Sequence, residues 1–352
     1  MKKKLLVVFG GVSSEHDVSL VSASSVISNV PEDKYDVLKM GITKDGRSFL
    51  YNGDASRLPG GKWLDDESLL EPAVISPDRS HHGIIRLESG KTERVDAVFP
   101  VLHGKNGEDG TIQGLLELAG IPYVGCGVLA SSMCMDKAVT NAVADLYGIA
   151  QAEWISFTKN EYDAGGNLLE SAAKKLGFPV FVKPANAGSS VGITKAGSAE
   201  ELKKACEEAF KHDRKIVLEE AVSGREVECA VMGNSDPVAS EVGEIVPCND
   251  FYDYNAKYID DNSALYIPAN LDPEKRDEIR ALAVKSYKAL GCEGLSRVDF
   301  FIRNGDGAVM LNEINTIPGF TSISMYPKLF EAAGVPMPEL IDRLIKYAEE
   351  RV

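Results

Sequence analysis

The sequence predicts an α/β opening followed by α+β units, and three observations support it. Short apolar runs alternate with helical segments through the first third, the pattern of a parallel sheet with helices on its faces. From about Cys126 the texture changes to a small α+β unit, and beyond "SGREVECAVMG" it becomes strand-rich. At 352 residues, 44% hydrophobic and 26% charged, the chain is ordinary globular material. That is enough for two or three domains at about 100 to 200 residues each.

Taken in order, "KLLVVFG" reads as a strand and a helix begins near Ser19. "DVLKMGIT" and "DAVFPVL" are further strands, followed by a helix over "TIQGLLELAG" and a short strand at "YVG". Residues 51 to 92 are polar and irregular, with a hairpin at "GIIRLES". A helix is expected at 131 to 147 and another over "NLLESAAKKLG", then "FPVFVKPA", "GITKA", a helix at 198 to 212, and "KIVLEEAV". "EVECAVMG", "PVASEVGEIV", "LYIPA", a helix at 273 to 290, "GLSRVDFFI", "AVMLNEIN" and closing helices complete the chain. Ligands bind beyond the C-terminal ends of parallel strands. The loops "GGVSSEHDVS" and "HGKNGEDG" fall at such ends.

A net charge of −15 argues against binding nucleic acid or an anionic membrane surface. Any anionic ligand must be met by local lysines and backbone amides. The six cysteines, Cys126, Cys134, Cys206, Cys229, Cys248 and Cys292, form no CxxC pair and are too sparse for a disulfide scaffold, which implies a reducing cytoplasm. "MKKKLLVVFGG" opens like a secretion signal, but its apolar run stops at "SSEHD", so a buried first strand fits better. No later stretch approaches the roughly 20 apolar residues of a membrane span.

"SRVDFFIRNGDGAVMLNEIN" is two apolar strands flanking a turn of Asn, Gly, Asp and Gly, a strong hairpin signal. Pairing about that turn puts Asp299 opposite Asn312 or Glu313, and one bulge decides which. Period-two alternation sets Glu313 and Asn315 on one face with Asp299 beside them. Two carboxylates and an amide oxygen suit a hard cation such as Mg²⁺; a polar strand end entering solvent is the alternative. In "FPVFVKPANAGSSVGITK", Lys183 ends an apolar strand before a Gly- and Ser-rich loop whose amides can approach phosphate, though a plain hairpin turn reads equally well. No G-x-x-x-x-G-K-[ST] is present. Lys137 in "MCMDKAVTN" and the carboxylates of "VLEEAVSGREVE" are, in isolation, a surface lysine and a charged strand exit. "NDFYDYNAKYIDDN" is a long, tyrosine-rich connection that reads as a lid.

In this order and spacing, "HGKNGEDGTIQGLLE", "MCMDK", "KPANAGSSVGI", "FYDYNAKY", "SRVDFF" and "NEINTIPGFTSISMYP" resemble the D-alanine:D-alanine ligases of the ATP-grasp superfamily. The resemblance spans essentially the whole chain. It implies a three-domain ATP-grasp fold: a Rossmann-like parallel-sheet domain at 1–125, a small central domain at 126–225, and a C-terminal domain at 226–352 with its lid at about 246–265. It also implies a reaction in which ATP phosphorylates the carboxylate of one D-alanine and the amino group of a second attacks the acyl phosphate. Two Mg²⁺ ions, or Mn²⁺ in their place, assist. The dipeptide serves peptidoglycan synthesis.

Carried onto this sequence, the resemblance assigns Lys137, Lys183 and Ser190 to the nucleotide phosphates and Glu219 and Glu226 to the adenine and ribose. Lys257 would reach the γ-phosphate, and Asp299, Glu313 and Asn315 would hold the metal ions. Arg297 and the Gly319 amide would stabilise developing negative charge. Glu15 would meet the ammonium of the first D-alanine, with His103 near its carboxylate, and Ser324 and Met325 would meet the second. Glu15, Ser189 and Tyr258 match a triad that latches the lid. The same resemblance implies a homodimer through the N-terminal domain. Parts of the chain also resemble the D-alanine:D-serine ligases of vancomycin resistance. A non-catalytic nucleotide-binding regulator would have lost Arg297, Lys257 or a metal ligand, and all are present. A dinucleotide dehydrogenase lacks its GxGxxG here.

Overall fold

The computed structural model describes residues 2–189, 191–246 and 264–351. Three sheets organise them. In the first, β1 (Lys3–Gly10) is buried along nearly its whole length and pairs in parallel with β2 (Tyr35–Ile42) and β7 (Ala97–Val101). A continuous Leu-Leu-Val-Val-Phe run has no polar face because both faces are covered. Helix α1 (His16–Asn29) covers one face, and α2 (Thr111–Ala119) packs on the other.

The stretch from 51 to 92 is less irregular than its polarity suggests. β3 (Ser48–Tyr51), β4 (Leu70–Ile75), β5 (Gly83–Arg86) and β6 (Thr92–Arg94) extend the sheet in antiparallel fashion to the order β6-β5-β4-β3-β2-β1-β7. The expected hairpin is β5–β6, and the sheet is mixed rather than wholly parallel. Trp63, in the turns between β3 and β4, is fully buried edge-on to Phe9 and Tyr51, which anchors this extension to the core. At "YVG" only a single parallel bridge forms, Val98 to Tyr123.

The expected helix at 131 to 147 is two helices. Asp136 ends α3 (Val128–Met135) and caps α4 (Lys137–Leu146) by accepting from the Val139 amide at 3.2 Å. The antiparallel four-stranded sheet that follows has the order β10-β9-β11-β8. It contains β8 (Trp154–Thr158), β9 (Val180–Pro184), β10 (Thr194–Ala196) and β11 (Lys215–Glu220). One side is covered by α6 (Leu168–Leu176) and α7 (Ala199–Ala209), and a short α5 (Lys159–Asp163) follows β8.

The third sheet, β14-β13-β12-β15-β16, is antiparallel throughout. Its strands are β12 (Gly224–Met232), β13 (Val238–Val246), β14 (Ala264–Tyr266), β15 (Leu295–Arg303) and β16 (Val309–Asn315). Alternation splits β12 between two cores. Val227, Cys229 and Val231 pack under α8 (Pro273–Ala289), while Ala230 and Met232 face α9 (Met325–Ala332) and α10 (Met337–Glu349).

The core around α9 and α10 is continuous with the α1 face of the first sheet, so the two ends of the chain share one hydrophobic cluster. Asp342 on α10 is 5% exposed and accepts from Lys34 and Tyr35 at 2.9 and 3.0 Å, a polar tie across that contact. Among the described residues no helix is long and apolar enough to cross a membrane.

Candidate active site

A cavity of about 560 Å³ opens between the second and third sheets. Lys183 on β9 and Glu219 on β11 reach it from one side, and Glu226 on β12, Phe301 on β15 and Glu313 on β16 from the other. Lys183 and Glu219 are ion-paired at 2.6 Å with little exposure, and Asn141 donates to the second Glu219 oxygen at 3.1 Å. A cation and an anion both aimed into a cleft of mixed polarity suit a ligand with phosphates at one end and an amino-bearing ring at the other. Lys137, expected within a helix, is the first residue of α4. Its ammonium donates to the Ala187 carbonyl at 2.8 Å, tying the Gly-Ser loop to the cleft.

The hairpin β15–β16 settles the register. Asp299 pairs with Glu313, while Phe300 pairs with Leu311, so Asn312 is the extra residue of a bulge. Asn315 pairs with Arg297 and donates to Asp299 at 3.0 Å. Arg297 holds Asp299 through both carboxylate oxygens at 2.8 and 2.7 Å and meets Glu228 at 2.9 Å. Although burial works against its charge, Asp299 and Glu228 together raise the Arg297 pKa well above its ordinary value. Among the described residues no three His, Cys, Asp or Glu side chains cluster as a metal site. The donor set is instead two carboxylates and an amide, hard oxygen ligands that fit Mg²⁺ and not a thiophilic ion.

Glu15 is the N-cap residue of α1, whose first residue His16 lies three residues before the expected helix start, and is 6% exposed. Ser189 donates to its Oε1, across from a different sheet. The other oxygen lies where no side chain fits: a Cβ on Gly104 would stand 2.4 Å from it and one on Gly188 2.7 Å. Gly104 also has φ +67°, so a side chain there meets both strain and a clash. Ser13 joins the two N-terminal loops by donating to the His103 carbonyl at 2.7 Å.

His103 is 5% exposed, with Nδ1 2.9 Å from the Ile317 carbonyl and Nε2 3.1 Å from Ser22 Oγ. Burial lowers its pKa despite the nearby Glu15. Glu108, from the "GEDG" loop, accepts from the amides of Gly104 at 2.8 Å and Ile317 at 3.0 Å. Removal from water, then the charges of Glu15 and Glu313, push its carboxyl up to about 8. Both His103 and Glu108 therefore grip the turn that follows β16. In that turn Ile317 N–H is held by Glu108 and Phe320 N–H by Ser22, and Pro318 has none. Gly319 N–H makes no hydrogen bond among the described residues. Ser324 is the N-cap of α9, bonded to Thr321, and Met325 is 4% exposed within the core behind it.

Ser190, Lys257 and Tyr258, together with the expected lid apart from its two ends, lie outside the described residues. The sequence reading passed over Ser22, Glu108, Asn141 and Glu228. Ser22 had a signal: Glu15, Ser19 and Ser22 recur at helical spacing on an otherwise apolar face of α1. Asn141 and Glu228 had none, because their roles depend on which strands meet.

Residues 4–126 match the family model described as the D-ala D-ala ligase N-terminus, and residues 143–346 match that of its C-terminus. The chain belongs to the D-alanine–D-alanine ligase family. It is 52% identical to the D-alanine–D-alanine ligase of Acetivibrio thermocellus over 99% of this chain and 96% of that one. The corresponding ligase of Caldicellulosiruptor bescii is 50% identical, again over 99% and 96%. Among solved structures, the D-Ala:D-Ser ligase VanG from Enterococcus faecalis superposes with a TM-score of 0.91 at 42% identity, covering 99% of this chain and 100% of that one. The D-alanine–D-alanine ligase of Coxiella burnetii gives 0.86 at 34%, covering 99% and 96%. The mixed first sheet and the two antiparallel sheets are those of this family's ATP-grasp fold.

Proposed function

We propose that this chain ligates two D-alanines into D-alanyl-D-alanine, using ATP, through an acyl phosphate, for peptidoglycan synthesis. The observation that carries the proposal is a linked set of groups beside the cleft. Arg297, Asp299 and Glu313 stand together on β15 and β16, Glu15 accepts from Ser189 of the cleft lining, and the uncommitted Gly319 amide lies in the turn gripped by His103 and Glu108. Relatives near 50% identity over 99% of the chain bear the same name.

In this reading the three units are 1–125, 126–225 and 226–352, with a lid at about 246–265. Lys137, Lys183 and Ser190 draw the phosphates into line, Lys257 reaches the γ-phosphate, and Glu219 and Glu226 hold the base and sugar. Nucleotide binding loosens the Lys183–Glu219 pair, freeing the lysine for phosphate and the carboxylate for the adenine amino group. Two Mg²⁺ ions, or Mn²⁺ in their place, held by Asp299, Glu313 and Asn315, supply charge neutralisation for phosphoryl transfer. Arg297, held by Glu228 as well as Asp299, keeps its direction when Asp299 turns to a cation.

Glu15 holds the ammonium of the first D-alanine and His103 borders its carboxylate, which becomes the acyl phosphate. Ser324 and Met325 shape the site of the second, whose amino group attacks. Gly319 N–H meets the oxyanion of the tetrahedral intermediate. Tyr258, with Ser189 and Glu15, latches the lid, because an acyl phosphate survives only where water is excluded. The chain works in the cytoplasm as a homodimer. Phosphate release with D-alanine alone, against D-alanine plus D-serine or D-lactate, tests the reading. Release only on adding D-serine assigns the chain instead to the D-alanine:D-serine ligases, a class represented among its structural relatives by VanG.

A further inference from the structure

We propose that Ser22, on the buried face of α1, is a positioning residue that holds the His103 ring and the Gly319 turn through a single hydroxyl. The inference rests on the ligase reading for its consequence, though its geometry stands alone. Ser22 is fully buried, two helical turns from Glu15.

Three contacts meet at this serine and the imidazole beside it. His103 Nδ1 lies 2.9 Å from the Ile317 carbonyl, which can only accept, so Nδ1 carries the proton. In the neutral ring Nε2 is then a bare lone pair, 3.1 Å from Ser22 Oγ, and the hydroxyl must donate to it. The Ser22 oxygen in turn accepts from Phe320 N–H at 3.2 Å. The chain of donors runs Phe320 N–H to Ser22, Ser22 to His103, and His103 to Ile317. It closes a ring around Pro318 and Gly319. Burial keeps the ring neutral, in accord with the lowered basicity of His103.

Reversing any one link breaks the others. With the Nε2–H tautomer, Nδ1 and the Ile317 carbonyl would be two acceptors face to face, and the Ser22 proton would lose its acceptor. The Ile317 carbonyl sets which imidazole nitrogen is bare, and the Ser22 hydroxyl does two further things: it holds the ring by donating to that bare Nε2, and it pins the amide after Gly319. Glu108 pins the amide before Pro318 from the other side. The Gly319 N–H direction is set by two clamps on different elements, one at the start of α2's loop and one on α1.

The test uses the full-length protein labelled with ¹⁵N-histidine, assigned by comparison with His103→Gln. The wild type should show His103 as the Nδ1–H tautomer. In Ser22→Ala the ring should keep its Nδ1–H, held by Ile317, while the Nε2 resonance moves toward that of a lone pair that accepts no hydrogen bond. Steady-state kcat for dipeptide synthesis should fall roughly ten- to a hundredfold, with KM for ATP within about twofold, as expected when an oxyanion donor is misplaced but not lost. Ser22→Thr, which keeps the hydroxyl, should restore both. An unchanged His103 spectrum or an unchanged kcat in Ser22→Ala overturns the proposal. If Ser22→Ala does not fold, the wild-type spectrum decides, and an Nε2–H tautomer overturns it. Absence of dipeptide synthesis in the wild type would defeat the ligase reading and leave the spectroscopic test intact.

Discussion

Asp299 stands directly across the β15–β16 hairpin from Glu313, and the register slips by one residue at the very next pair. The bulge at Asn312 is what brings the two carboxylates opposite each other, because an unbroken ladder running back from Phe300–Leu311 would place Asn312 there instead. Without a cation, Asp299 is compensated by Arg297 and Asn315. Asp299→Asn and Glu313→Gln should each lower Mg²⁺-dependent phosphate release by about 100-fold or more, as removal of a charge-stabilising group at a reacting phosphoryl does. Full activity in Glu313→Ala would show that the metal assignment is wrong.

The Lys183–Glu219 pair has little exposure and aims into the cleft between the second and third sheets, where the proposed reading seats the nucleotide. Lys183→Met leaves a buried carboxylate unpaired, which costs on the order of 3 kcal/mol of stability. On the proposed reading it also removes a phosphate contact. Denaturant melts should show the loss of stability, and KM for ATP should rise at least tenfold while KM for the amino acid changes little.

Glu108 gives a pH signature in the metal-free protein. Its folded carboxyl titrates at about 8, above its ordinary value. The folded chain therefore holds a proton that the unfolded chain releases above about 4.5. Stability from this group is fully present below the unfolded value and is lost as pH rises through about 8. Glu108→Gln, which mimics the protonated acid, should flatten the fall in stability between pH 5 and 8 in urea melts. An unaltered slope would mean that Glu108 is ionised throughout.

Gly104 is fixed by the Glu15 carboxylate, which a Cβ would approach to 2.4 Å. Gly104→Ala should displace Glu15 and raise KM for the first amino acid at least tenfold. ATP binding, measured calorimetrically, should stay close to wild type because the cleft proposed for the nucleotide is built from other sheets.

Most of the strand and helix order is legible in the sequence, because apolar runs and their periods differ sharply between β1, α2 and β12. Residues 51 to 92 are not, since their strands are short and half-exposed, and the buried Trp63 among them is anchored on Phe9, distant in sequence. The break at Asp136 could have been read from its capping role, but the flanking apolar periodicity masks it. At the site, hairpin arithmetic reaches Asp299 and leaves two partners open, and only the bulge chooses Glu313. The contacts of Glu15 with Ser189, of Ser22 with His103 and of Glu228 with Arg297 join residues far apart in the chain. No local pattern encodes such meetings.

The most direct test of the central claim is phosphate release by the purified chain with ATP and Mg²⁺, read alongside chromatography of the product. The account predicts that D-alanine alone supports both phosphate release and D-alanyl-D-alanine formation, and that Glu313→Ala abolishes both. Phosphate release that appears only when D-serine is added, with a mixed dipeptide as product, would contradict it.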